Sequence, residues 1–102
     1  METYCVDVDT SAPSTIELPQ RLLQQGGRYS VEVKDGDVTI WGNSLGLLYL
    51  GEVLIRAALG GHPPTLHVHI PQDGAVLRRG PSTKVEPELI VFAADPEFGR
   101  EA

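Results

Sequence analysis

From residue 29 the chain alternates apolar and polar positions, with Tyr29, Val31 and Val33 set against Ser30, Glu32 and Lys34. A period of two marks a strand with one covered face. Asp35-Gly36 follows, a pair suited to the positive φ angles of a two-residue hairpin turn. Folding back across that turn sets Lys34 opposite Asp37, Val33 opposite Val38, Glu32 opposite Thr39 and Val31 opposite Ile40. Valines and isoleucine then share one face, so pattern and register agree. Trp41 falls on the polar face beside Ser30.

The period changes after Gly42. Asn43 or Ser44 can cap a helix by accepting a bond from a free N–H of its first turn. At about 100° per residue, Leu47, Leu50, Leu54, Ala57 and Ala58 gather on one side, the predicted core face. Glu52 and Arg56 fall nearly opposite, an i,i+4 pair worth about 0.3–0.5 kcal/mol. Gly51 borders the apolar side, where a missing Cβ suits close approach to a sheet. Gly60-Gly61 and then Pro63-Pro64 end the helix. Leu45, Tyr49 and Leu59 flank the Glu52–Arg56 stripe and call for a cover: the N-terminal segment, a second copy or another protein.

Next, Leu66, Val68 and Ile70 alternate with His67 and His69. A strand, a crossover helix and a second strand normally make a right-handed parallel pair. That arrangement predicts His67, His69, Trp41, Thr39 and Glu32 together on the face away from the helix. Residues 71–87 read as a long loop, and 89–93 as an apolar strand covered on both faces. The tail 95–102 is expected to fray. Toward the N-terminus, residues 4–9 alternate as a short strand, 10–15 form a turn, and 19–25 make one or two helical turns. The pattern thus predicts a single α+β domain over 1–102. It has a small antiparallel or mixed sheet of four to five strands, with one main helix on one face.

Composition narrows what such a domain can do. The 41% hydrophobic content over 102 residues suffices for a modest core and is too apolar for disorder. A formal net charge of −6 argues against nucleic acid and suits a basic protein partner. No apolar run is long enough to span a bilayer, and the first ten residues lack the blocks of a secretion signal, so cytoplasmic residence is expected. Cys5 is the single cysteine, which excludes an internal disulfide and a cysteine-based zinc site.

The histidine pair is the sharpest chemical candidate. Residues i and i+2 of a strand point the same way, about 6.6 Å apart, so two imidazoles can converge on one transition metal if a third ligand arrives. His62, Asp73, Glu86 and Asp7 are the donors available, and none has diagnostic spacing. Ser44 and Ser82 lack the glycine-flanked elbow of a hydrolase nucleophile, and no phosphate loop occurs. Neither a catalytic centre nor a resident cofactor is therefore expected.

Ile40, Gly42, Asn43, Gly46, Leu47, Leu50, His67 and His69 carry a resemblance. Together they resemble the core of a bacterial polymorphic-toxin immunity family, family thirty-two. In that family an Ile-Gly-Asn strand end leads into a Gly-Leu-x-x-Leu helix and then a His-x-His strand. Residues 80–82 and 88–91 match its Gly-Ser and Glu-Leu-Ile end loosely, and the resemblance covers 38–92. The chain departs from the pattern after His69, where Ile70-Pro71-Gln72 displaces the expected acid to Asp73. The resemblance implies a cytoplasmic protein that binds and neutralises a cognate toxin. Trp41, His67 and His69 would form the contact face, with Glu32 on its rim and Asp73 from the loop. A small metal-binding protein built on His67 and His69 is the alternative, and a homodimer through Leu45, Tyr49 and Leu59 a third option.

Overall fold

The hairpin takes the register that its alternation dictates. The computed structural model describes residues 1–71, 73, 74 and 89–97. In it, β1 (Tyr29–Lys34) and β2 (Asp37–Gly42) pair antiparallel with Val33 opposite Val38 and Ser30 opposite Trp41. Asp35 and Gly36 both have positive φ, 53° and 83°, which makes the tight turn. Only the end of the hairpin remote from the turn reaches the core. Tyr29 and Val31 are buried, whereas Val33, Val38 and Ile40 share their face but stand exposed.

Preceding the hairpin, α1 (Gln20–Gln24) is a single turn and a half ended at Gly26, as the Pro19 and glycine signals predict. Following it, α2 (Ser44–Leu59) starts on an Asn43 cap and stops at Gly60. Three backbone segments meet at Asn43. Its Oδ1 accepts from Gly46 N at 2.8 Å and from Arg28 N at 2.9 Å, while its Nδ2 donates to the Gly26 carbonyl at 2.9 Å.

The helix is rotated from the face its leucines predict: Leu50 and Ala57 are buried as expected, but Leu47, Leu54 and Ala58 are not. Gly46, Tyr49, Leu50, Val53 and Ala57 face inward at the spacing of a helical seam, with Glu52 beside them. Leu47 and Leu54 are instead about half exposed, and Ala58 is exposed. Two contacts set this rotation. The Tyr49 ring stacks on Tyr29, with centroids 5.4 Å apart. Gly46 lies so close to β1 that an added Cβ would fall 1.9 Å from the Arg28 carbonyl oxygen. Gly51, expected at the close approach, faces open space instead.

The chain's own N-terminal region covers the Glu52 stripe. Residues 4–9 are not a strand; Tyr4 ties this segment to α2 through its hydroxyl, which donates to Glu52. Tyr49, stacked on Tyr29, belongs to the core, whereas Leu59 stays exposed.

The second sheet departs most from expectation. β3 (His67–Ile70) pairs antiparallel with β5 (Leu89–Phe92) and does not join β2 as a parallel neighbour. This register sets Val68 against Val91 and Ile70 against Leu89, so one face of the pair packs on the core. The three-stranded sheet, in order β2-β1-β4, is completed by β4 (Asp73–Gly74), two residues of the expected loop. Residues 72 and 75–87 of that loop and 98–102 of the tail lie outside the described residues. The result is a small α+β fold: two antiparallel strand groups with one dominant helix packed against them.

Candidate interaction surface

The predicted contact residues fall on two sheets. In the three-stranded sheet, Trp41, Ser30 and Asp73 occupy one cross-strand row, because Ser30 pairs with Trp41 on one side and Asp73 on the other. Glu32 is two positions along β1 from Ser30, hence on the same face. Trp41, Glu32 and Asp73 are thus brought together at the level of the backbone. Trp41 is 62% exposed and borders a hollow of about 300 Å³ lined by Arg28, Tyr29, Ser30, Gly42 and Asn43.

His67 and His69 belong to the other sheet, on the face of β3–β5 turned away from the core. The single His-and-Trp face expected from a parallel crossover does not form, because β3 pairs with β5. His67 instead stacks on Phe92, with centroids 4.6 Å apart and planes 25° from parallel. The two imidazoles are 4.9 Å apart. The Nδ1–H of His67 donates to the Thr65 carbonyl at 3.1 Å, which fixes the ring's orientation. Register sets His69 against Ile90, so His67, His69, Ile90 and Phe92 make one exposed apolar and aromatic patch. Phe92 is 51% exposed and Ile90 46%. Sequence reasoning missed both, since it read residues 89–93 as covered on each side. The available signal was alternation: a strand facing a period-two partner carries the same period.

Burial of an ionised group occurs elsewhere. Glu52 is 1% exposed. Arg21 grips its carboxylate with two bonds of 3.1 and 2.7 Å, Tyr4 donates its hydroxyl, and Arg56 stands 3.6 Å away. These hydrogen bonds, led by Arg21, hold the Glu52 carboxyl below the usual carboxylate range despite burial. The Tyr4 phenol is raised, chiefly by its bond to Glu52. Arg56 also bonds Glu17 at 2.9 Å, and His62 lies 2.7 Å from the Pro13 carbonyl. The cluster is a clasp for residues 4–21. With its carboxylate fully engaged, it has the character of a structural device rather than a reactive one.

Among the described residues, no group of three or more His, Cys, Asp or Glu side chains could hold a metal ion. No helix among them is long and apolar enough to cross a membrane. Comparison with protein-family models, curated proteins and solved structures finds no match for this chain.

Proposed function

We propose that the chain is a recognition protein of the immunity type, which binds a basic toxin domain and neutralises it without chemistry of its own. One observation carries the reading: an aromatic and apolar patch, His67, His69, Ile90 and Phe92, stands exposed on a strand pair whose other face already packs on the core. Aromatic side chains in such positions tend to dominate binding energy. The net charge of −6 favours a basic partner through complementary potentials. Trp41, Glu32 and Asp73 make a second contact region on the other sheet. Cytoplasmic residence and the resemblance to the immunity family belong to the same proposal.

The test is a calorimetric titration of the toxin domain encoded in the same locus. Phe92→Ala should weaken binding by at least about 2 kcal/mol, in a protein that still folds cooperatively but melts a few degrees lower for loss of the His67 stack. Full affinity in that variant, or a locus without any toxin domain, would overturn the reading.

A second reading takes His67 and His69 as metal ligands. It is favoured by the Nδ1 bond of His67 to a backbone carbonyl, the usual way a ligating imidazole is oriented. Elemental analysis of protein purified without a histidine tag tests it. Stoichiometric zinc, nickel or copper, lost in His67→Ala, would support it, and metal-free protein would dismiss it.

A further inference from the structure

Among the described residues the hairpin has an open edge: β2 has one strand neighbour, β1, in the order β2-β1-β4. Residues flanking a two-residue turn form a hydrogen-bonded pair, and such pairs alternate along an antiparallel ladder. Asp37, Thr39 and Trp41 therefore direct their backbone groups at β1. The bond from Asn43 N to the Arg28 carbonyl, at 3.1 Å, continues that alternation. It follows that the N–H and C=O groups of Val38, Ile40 and Gly42 point away from the sheet.

Protein edges of this kind normally carry a device against strand addition, such as a proline, a lysine or a bulge. β2 has none of them. Its sequence is DVTIWG, all six residues are exposed, and its pairing with β1 runs unbroken over six positions. Val38 is 63% exposed, and Trp41 walls the hollow at the far end of the strand. Along the hairpin Glu32, Asp35 and Asp37 stand against Lys34, with Arg28 beside the hollow, and all five are exposed. The chain as a whole is acidic in the same sense.

We infer that β2 is a docking edge for an extended basic strand, which adds to the hairpin sheet and seats an apolar side chain in the hollow beside Trp41. Main-chain bonds to Val38, Ile40 and Gly42 supply the register, and alternate side chains supply selectivity. Acidity selects the occupant: a second copy would bring together two chains of net charge −6, whereas a lysine-rich strand meets Asp37 and the neighbouring carboxylates with opposite charge. The inference rests on the recognition role proposed above, but on a different surface, so the two can fail separately.

The probe is a short end-blocked peptide alternating lysine and valine, titrated into the isotope-labelled full chain and followed by amide NMR. Shifts should centre on Val38, Ile40, Gly42 and the Trp41 indole, and the outward amides should exchange roughly tenfold more slowly at saturation. A peptide with glutamate in place of lysine should bind at least about tenfold more weakly. N-methylation along both edges of the peptide should abolish binding, which tests strand pairing without altering the protein. Ile40→Pro, which removes an N–H the hairpin does not use, should abolish it too. Phe92→Ala should leave peptide binding intact.

Shifts centred on β3–β5, equal binding of the two peptides, or survival of N-methylation would each overturn the inference. Concentration-dependent protection of the same amides without peptide would make the occupant a second copy, and would also overturn it. Failure here alongside a Phe92→Ala defect in toxin binding would leave the recognition role standing.

Discussion

At the residue scale Asn43 does more than close a helix end. One side-chain amide satisfies two N–H donors and one carbonyl, joining the turn after α1, the start of β1 and the first turn of α2. Asn43→Ala should therefore lower unfolding free energy by about 1–2 kcal/mol, the upper range for a lost cap, in urea denaturation. A loss within error would show that water replaces all three bonds. The capping role was legible, because Asn or Ser before a leucine-rich run is a local signal. The other two bonds were not, since their partners Arg28 and Gly26 lie 15 and 17 residues upstream. At this same scale Phe92 was legible as a strand residue, but its stack on His67 depends on a pairing that residues 71–88 separate in sequence.

The main helix shows what hydrophobic periodicity can and cannot decide. Its leucines surround much of the axis, so a leucine count points toward Leu47 and Leu54 while the buried seam runs through Gly46, Tyr49, Leu50, Val53 and Ala57. Ring stacking and a backbone contact chose the face, and neither has a periodic signature. Two glycines in one helix then behave oppositely. Gly51→Ala should stabilise by about 0.5–1 kcal/mol, because the site is open and alanine is the better helix former. Gly46→Ala should destabilise by at least about 2 kcal/mol, since its methyl would collide with the Arg28 carbonyl. Thermal melts of both variants test the helix rotation directly. Equal effects would mean the helix presents another face. The hairpin is the contrasting element: a two-residue turn and strict alternation fix its register from sequence alone.

Across the whole molecule, the Glu52 clasp ties the N-terminal region and α1 to α2 through charged side chains, and this makes stability depend on pH. The carboxyl is held below its ordinary value of 4.5, so the folded state binds its proton less readily than the unfolded chain. Its contribution is complete above that ordinary value and is lost as pH falls through the lowered folded value. The melting temperature should thus decline as pH drops below about 4.5, and Glu52→Gln should flatten part of that decline. At neutral pH the same variant should cost about 2 kcal/mol, as it leaves Arg56 and Arg21 without their carboxylate. An unchanged acid profile would separate the clasp from stability. This role was hidden in the sequence because Glu52 and Arg56 have the spacing of an ordinary surface pair. The arrival of Arg21 and Tyr4 from 31 and 48 residues away turns that pair into a buried junction.

The triple use of Asn43 also bears on how the protein ages in storage. Hydrolysis of its side-chain amide gives aspartate, which can still accept from Gly46 and Arg28 but has no proton for the Gly26 carbonyl. Two oxygens would then face each other where a 2.9 Å bond had been. The same three bonds restrain the amide against hydrolysis in the folded chain, and the more acidic variant, once formed, should melt below the parent. A helix cap thus also protects the one asparagine of the chain from chemical ageing for as long as the fold holds.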